Sequence, residues 1–426
     1  MRLFLFCSLL SLSVMADTSS RLPDPLNLQQ AMDMANDQQH YQLLEARAEM
    51  ANAVSQLAQA ESVMDFSAQL ELEAAYIEPS PIAIDQSRND GQAALRLVKP
   101  LYDFAGSDEK VLAANIEHSA LQDFMQYVIA QRKLDIARQF FEVILADLKY
   151  AWDNEAMAMA FVRFDADKDR YALAQISDVQ MLEAENQYLD ILHQRSLSEM
   201  NQRHTRAVLA ELLNRPTQLP SNLKMPDTAH IKASSPEYPR VLEKVMQFNP
   251  LIKLTESQLE AAEQRVIAES QQLRPRLNAE LEVYEYARLQ GSSDEWRAQL
   301  NLTIPLYENA SIKSNVARAR ADKLRKQAEL LSIKSEIRKQ ALQLWQTVEL
   351  LSRRREQLKT SQEFRELNLD RSRALYEMEV ATDLGSSMVA ISEIQYKQAK
   401  NDFELALAWM QLRVLAGETD INKTSL

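Results

Sequence analysis

Glycine and cysteine are scarce in this chain. Five glycines occur in 426 residues, whereas proteins average about 7% glycine. This scarcity disfavours a turn-rich β-sandwich and favours long, uninterrupted helices. The one cysteine, Cys7, lies in a segment that we expect to be removed, so the mature chain is predicted to form no disulfide and no thiolate metal site.

Long apolar runs are also missing beyond the first residues. No later segment approaches the ~18 apolar residues of a spanning helix, so any membrane crossing is expected to use strands. The opening residues, MRLFLFCSLLSLSVMADTSS, place a cation, an apolar run and small residues in the order of an export signal. We predict a signal peptide over residues 1–16. A short buried N-terminal helix and lipidation of Cys7 remain open alternatives.

Basic residues are fewer than acidic residues in this chain. The chain carries 48 Lys and Arg against 61 Asp and Glu, for a net charge of −13, which argues against nucleic acid as a partner. The five histidines are scattered without a carboxylate at ligand spacing, so we predict no enzyme, no cofactor and no metal site. Met32 and Met34 do not share a helix face, so the 16 methionines are interpreted as core packing rather than as metal ligands.

The sequence contains an internal duplication. Pro100-Leu101-Tyr102 recurs 205 positions later as Pro305-Leu306-Tyr307. Each copy precedes a proline-free helical pattern, near residues 105–171 and 310–376, and shorter helical patterns cover 28–64, 178–213, 238–273 and 385–415. We therefore predict a signal peptide (1–16), a first repeat (17–213), a proline-rich linker (214–239), a second repeat (240–417) and a C-terminal tail (418–426).

Four segments alternate polar and apolar residues, as strands with one apolar face do. This alternation fits a half-buried sheet or a barrel with lipid outside and water inside. An open four-stranded sheet in lipid would leave unpaired backbone groups, and barrels begin at about eight strands, so several chains are expected to close one barrel. The polar faces would line the lumen, and their acidic residues are Glu71, Glu73, Glu280 and Glu282.

With its paired PLY strand ends, its Asn249-Pro250 step and the segments YALAQISDVQMLEAENQYL and YEMEVATDLGSSMVAISEIQY, the chain resembles the TolC-like outer-membrane factor family. The resemblance implies a mainly α fold with a small β part, built from duplicated long helical hairpins and four strands per chain. It also implies a homotrimer, whose twelve strands form an outer-membrane barrel continued by a periplasmic helical tunnel.

The resemblance further implies the role of an exit duct in a tripartite efflux pump or a type I secretion system of a Gram-negative bacterium. A periplasmic adaptor and an inner-membrane transporter of RND, MFS or ABC type would be the partners, beside outer-membrane lipid. A periplasmic coiled-coil scaffold or adaptor without a barrel is the alternative.

By the same resemblance, the strand-to-helix junctions are Pro100, Tyr102, Pro305 and Tyr307, with each proline ending ladder pairing; a packing-only role for the prolines is the alternative. The turns near Ala172–Gln180 and Glu377–Ser387 would form the periplasmic tip, whose gate candidates are Tyr171, Asp178, Tyr376, Asp383, Gly385 and Ser387. Asp178 and Asp383 could equally be helix N-caps. The glycine that is common after the tip tyrosine is replaced by Ala174 and Glu379.

Overall fold

The computed structural model of the chain describes residues 22–36, 40–103, 106–228, 236–288, 294–306, 310–378 and 384–419. The predicted signal peptide lies outside these ranges. The elements of the first half, in chain order, are α1 (Leu28–Asp33), a 3-10 turn (Met34–Asn36), α2 (Tyr41–Ser62), β1 (Ser67–Tyr76), β2 (Asn89–Tyr102), α3 (Gly106–Ala172) and α4 (Asp178–Leu212).

The second half repeats this order. Its elements are α5 (Tyr238–Phe248), α6 (Pro250–Ser270), a 3-10 turn (Gln271–Leu273), β3 (Arg276–Tyr286), β4 (Trp296–Thr303), α7 (Ala310–Glu377) and α8 (Leu384–Leu415). The predicted combination of long helical hairpins and four strands is confirmed. None of the helices in the described ranges is long and apolar enough to cross a membrane.

Two predicted helices are broken. The pattern over 28–64 is divided between α1, which ends at Asp33, and α2, which begins at Tyr41, and the pattern over 238–273 is interrupted at Asn249. Asn249 is fully buried; its side-chain oxygen accepts hydrogen bonds from the backbone N–H groups of Leu251 and Ile252, both at 3.0 Å. Pro250 follows at the first helical position, where its missing N–H removes no helical bond. A cap and a proline therefore start a new helix within a continuous apolar pattern.

The chain divides into two compact units. Unit 1 comprises residues 1–34 and 139–226, and unit 2 comprises residues 35–138 and 227–426. In unit 1, Phe140, Phe141 and Leu209 are buried, which fits the apolar spacing of α3 and α4. The core of unit 2 is formed by residues of α5 to α8, including Val348 and Leu412. Because unit 2 contains elements of both halves, the repeat boundaries remain a prediction.

The sheet lies within unit 2 and is antiparallel, in the order β1-β2-β3-β4. Ladder pairing places Leu70 opposite Leu95, and Leu95 opposite Val283, on one face. The predicted alternation therefore produces a continuous apolar face across all four strands. β1 and β4 are the two edges of the sheet.

Candidate functional site

A charged row crosses the polar face of the sheet. Its register joins Gln69, Arg96, Glu282 and Arg297 on successive strands. The Arg96 guanidinium Nε lies 2.6 Å from Glu282 Oε1, and the Tyr284 hydroxyl donates to Glu282 Oε2 at 2.7 Å. Glu282 is only 4% exposed, so this carboxylate is neutralised and held by its neighbours rather than presented as a free charge.

The remaining predicted lumen carboxylates lie on the same face. Glu280 accepts a hydrogen bond from Gln299 at 2.7 Å, Glu73 accepts one from Gln92 at 3.0 Å, and Glu71 is exposed. Pairing register assigns five carboxylates and three guanidiniums to this face, namely Glu71, Glu73, Asp90, Glu280, Glu282, Arg96, Arg276 and Arg297. The face is thus less acidic than the four glutamates alone suggest, because strand register decides which arginines join them.

The opposite face is apolar and exposed in the single chain. Its exposed side chains are Leu70, Leu72, Val283, Trp296, Leu300 and Leu302. The hydrogen-bonding edges of β1 and β4 have no partner strand among the described residues. Both features favour association with another surface, since exposed apolar side chains and unpaired strand edges promote it.

The strand-to-helix junctions differ between the halves. Pairing of β2 with β3 continues past Pro100 to Tyr102, with a register shift between them, so the expectation that Pro100 ends the ladder is wrong. Pairing of β2 with β1 does end earlier, at Val98. Pro305 lies two residues beyond the last residue of β4. Tyr307 lies outside the described residues.

The first predicted tip turn joins α3 to α4 within unit 1. Ala174 has a φ of +55°, and its backbone N–H donates to Tyr171 O at 2.8 Å, while that of Gln175 donates to Arg170 O at 2.8 Å. This is the Schellman pattern, in which a left-handed residue, usually glycine, follows the helix end. Alanine therefore holds a strained backbone conformation here.

Ser177, rather than Asp178, is the N-cap of α4. Its hydroxyl accepts from the backbone N–H of Gln180, whose side chain accepts from the Ser177 N–H in return. Asp178 takes the first helical position and accepts a hydrogen bond from the Tyr171 hydroxyl at 2.9 Å. This bond and the carboxylate charge raise the pKa of Tyr171. The structure thus joins two predicted tip residues across the turn.

The second predicted tip turn includes residues 379–383, and with them Glu379 and Asp383, which lie outside the described residues. Gly385 lies in the first turn of α8, and Tyr376 is exposed near the end of α7.

Ser387 is 4% exposed, and its hydroxyl oxygen lies 2.7 Å from that of Ser372. The Asn368 amide donates to the same Ser387 oxygen at 3.4 Å. The sequence pattern missed Ser372 and Asn368 because the register between α7 and α8 is a tertiary property.

Within the described ranges there is no group of three or more His, Cys, Asp or Glu side chains that could hold a metal ion. The arrangement of the described residues offers an amphipathic sheet and two hydrogen-bonded helix turns.

No protein-family model matches the chain, and no curated protein sequence matches it. Solved structures do. The outer membrane protein VceC of Vibrio cholerae has a TM-score of 0.68 at 17% identity, covering 92% of this chain and 97% of that chain. The CmeC outer membrane channel of Campylobacter jejuni has a TM-score of 0.71 at 15% identity, covering 96% of this chain and 90% of that chain.

The MtrE outer membrane channel of Neisseria gonorrhoeae, solved in its open state, has a TM-score of 0.69 at 16% identity, with 94% of this chain and 91% of that chain covered. At such identities the likeness establishes the fold, which is TolC-like. The fold that the family resemblance implied is thereby confirmed.

Proposed function

We propose that this protein is the outer-membrane exit duct of a tripartite efflux pump or a type I secretion system. The observation that carries the proposal is the amphipathic four-stranded sheet, which has one exposed apolar face and two open edges. Three copies would join edge to edge into a twelve-stranded barrel, with the apolar face toward lipid and the charged row toward water. The TolC-like fold supports this arrangement.

Backbone energetics favour closure. Each unpaired backbone group in hydrocarbon costs several kcal/mol, and a single chain leaves two whole edges unpaired. The strands contain 8 to 14 residues, which brackets the ~9–11 residues that a tilted strand needs to cross a bilayer. The backbone requirement therefore supports closure by more than one chain in lipid, and three chains are proposed because of the TolC-like fold.

The duct would be passive and would carry no enzymatic step. It would reside in the outer membrane of a Gram-negative bacterium after removal of residues 1–16, with its helices extending into the periplasm. The predicted tip segments near residues 172–180 and 377–387 would face a periplasmic adaptor, and an inner-membrane transporter of RND, MFS or ABC type would supply the energy. The side chains around these turns, including Tyr171, Asp178 and Ser387, would then control closure.

Mass measurement and single-channel recording test this proposal. Light scattering of the detergent-extracted protein is expected to give three chains. Planar bilayers are expected to show a channel with weak cation preference, because the polar face carries five carboxylates against three guanidiniums, and this preference should fade as salt shortens the Debye length from about 10 Å at 0.1 M. A stable monomer that keeps its β signal, or no conducting state, would instead favour a periplasmic scaffold.

The same recordings test the second turn. Replacing Ser387 by alanine removes the hydroxyl that contacts both Ser372 and Asn368, so the open fraction should rise. Ser361→Ala, on α7, is the matched control and should leave gating unchanged. Equal open fractions in both variants would remove Ser387 from the gate.

A pair of arginine substitutions tests the facing of the sheet. Leu300 is 71% exposed on the apolar face, while Gln299 beside it contacts Glu280 on the polar face. We expect Leu300→Arg to cost roughly 2–4 kcal/mol near the bilayer midplane and Gln299→Arg to be tolerated. Equal yields of assembled trimer in outer-membrane fractions would contradict the assigned facing.

A further inference from the structure

Four helices meet the sheet within unit 2 and line an open cleft of about 900 Å³. The last turns of α2 and α6 and the first turns of α3 and α7 form its walls. Each of these helices continues into a strand or out of one within a few residues. The cleft therefore lies next to the sheet.

The cleft is amphiphilic. Six small apolar side chains line part of it, namely Ala60, Val63, Ala114, Ala262, Ala268 and Ala319. Four cationic side chains line the rest together with two acidic ones, namely Lys110, Arg265, Arg318, Lys326, Glu269 and Asp322. The volume lies in the range of about 300–1,000 Å³ that small-molecule sites occupy.

Three of the four cations are already paired. Lys110 lies 3.5 Å from Glu269, Lys326 lies 2.9 Å from Glu329, and Arg265 bonds Glu117. Their charges are therefore largely compensated within the chain.

Arg318 differs from these three. Among the described residues its guanidinium has no hydrogen-bonding or ionic partner, and the same is true of the side-chain amides of Asn315 and Gln56, which line the same cleft. Asn315 and Arg318 are three residues apart on α7 and so share a helix face. The five N–H donors of the Arg318 guanidinium therefore lie in the same cleft as the unpaired side-chain amides of Asn315 and Gln56. The small apolar side chains line the rest of that cleft.

We propose that this cleft binds a small amphiphilic organic anion, with a carboxylate or sulfonate on Arg318 and an apolar body against Val63 and the alanines. A planar guanidinium matches such oxyanions with two parallel hydrogen bonds. The amides of Asn315 and Gln56 supply further donors to the same group. In the proposed duct, such anions would be transported molecules that bind transiently in this cleft. Only this statement about transport rests on the proposed function.

Isothermal titration with 2-naphthalenesulfonate tests the site on the full chain in lipid nanodiscs, with empty nanodiscs as the blank. Arg318→Gln is expected to weaken binding about tenfold or more, since hydrogen bonds to charged groups contribute about 1.5–3 kcal/mol. Arg320→Gln is the matched control, because Arg320 lies on the same helix but does not line the cleft, and its affinity should equal that of the unmodified protein. Neutral 2-naphthol should bind both variants alike.

A second variant keeps the charge and fills the space. Ala319→Trp should also abolish sulfonate binding while Arg318 remains. The inference is overturned if sulfonate binds no better than to empty nanodiscs, if both arginine variants lose affinity equally, or if Ala319→Trp binds normally. Channel conductance measured on the same preparations reports the duct separately, so loss of binding with intact conductance would reject the site alone.

Discussion

The two long helical hairpins share a backbone plan but not their polar contacts. In α3/α4, Asp147 lies on the long helix and receives two bonds from Arg206 on the short one, at 2.7 and 2.8 Å. In α7/α8 the charges are exchanged, with Arg355 on the long helix and Asp402 on the short one at 3.0 Å. The duplication has preserved apolar spacing, while each hairpin uses its own ion pair.

The Arg355–Asp402 pair also binds the proline-rich linker (214–239) through Thr228. Arg355 donates to the backbone oxygen of Thr228 at 3.1 Å, and the Thr228 hydroxyl donates to Asp402 at 3.3 Å. Burial raises the pKa of Asp402, while Arg355, Thr228 and Asn401 act in the opposite direction. These partners therefore stabilise the charged form of Asp402 against burial. We expect the second hairpin to lose more stability without Arg355 than the first hairpin loses without Arg206.

Removing the arginine from each hairpin gives the largest expected difference. Arg355→Ala leaves Asp402 desolvated beside Thr228, and we expect a loss of about 2–3 kcal/mol, within the range for breaking hydrogen bonds to charged groups. Arg206→Ala should cost less, about 1–2 kcal/mol, because the Asp147 side chain is 33% exposed against 22% for Asp402 and because Arg355 also binds the backbone oxygen of Thr228. Thermal unfolding midpoints of the purified variants measure the difference.

The Arg355→Ala/Asp402→Asn double variant is the control for that experiment. Removing the stranded charge should recover part of the loss, since the penalty comes from an uncompensated carboxylate. A larger loss for Arg206→Ala than for Arg355→Ala would show that the linker contact adds nothing to the second hairpin.

Sequence periodicity predicted what depends on repeated local patterns. Strand alternation, the long helices and the order of elements follow from residue spacing. The resemblance to the TolC-like family, rather than periodicity, assigned Tyr171 and Asp178 to one turn. Contacts such as Ser372 with Ser387, or Arg355 with Asp402, depend on how two helices align side by side. A shift of one residue in that alignment would change every partner, and no periodic signal in one helix fixes it. Asn249 and Pro250 end one helix and start the next although the apolar spacing continues through both, so spacing alone did not predict this break.

Three long helices end in the same way but with different residues. α4, α8 and α3 all end in the same left-handed position, occupied by Asn214, Gly417 and Ala174 respectively. Asparagine and glycine tolerate this conformation, whereas for alanine it is less favourable by roughly 1–2 kcal/mol.

Ala174→Gly should therefore stabilise the first hairpin by about 0.5–1 kcal/mol after the entropic cost of glycine is subtracted. Ala172→Gly, inside the last turn of α3, is the matched control and should destabilise by a similar amount. The comparison fails if both substitutions change the unfolding midpoint in the same direction.

The stability of the second hairpin should also depend on pH through Asp402. Because the pKa of Asp402 is raised above its ordinary value of 3.8 in the folded chain, the folded state holds this proton more tightly than the unfolded state does. The stability that this group contributes is complete below that value and is lost as pH rises through the folded pKa. Asparagine does not ionise, so the Asp402→Asn variant does not lose this stability as pH rises. Its stability should therefore increase relative to that of the unmodified protein between pH 4 and pH 7.

Each unit by which the pKa is raised corresponds to about 1.4 kcal/mol, so the relative gain should be modest but should follow a single titration. Unfolding midpoints of both proteins across this pH range give the difference curve directly, and the other carboxylates cancel because both proteins contain them. Asp147→Asn, measured in parallel, shows what removal of the carboxylate from the first hairpin does. A difference curve for Asp402→Asn that is flat, or that falls with rising pH, would mean that Arg355 compensates the burial of Asp402 in full.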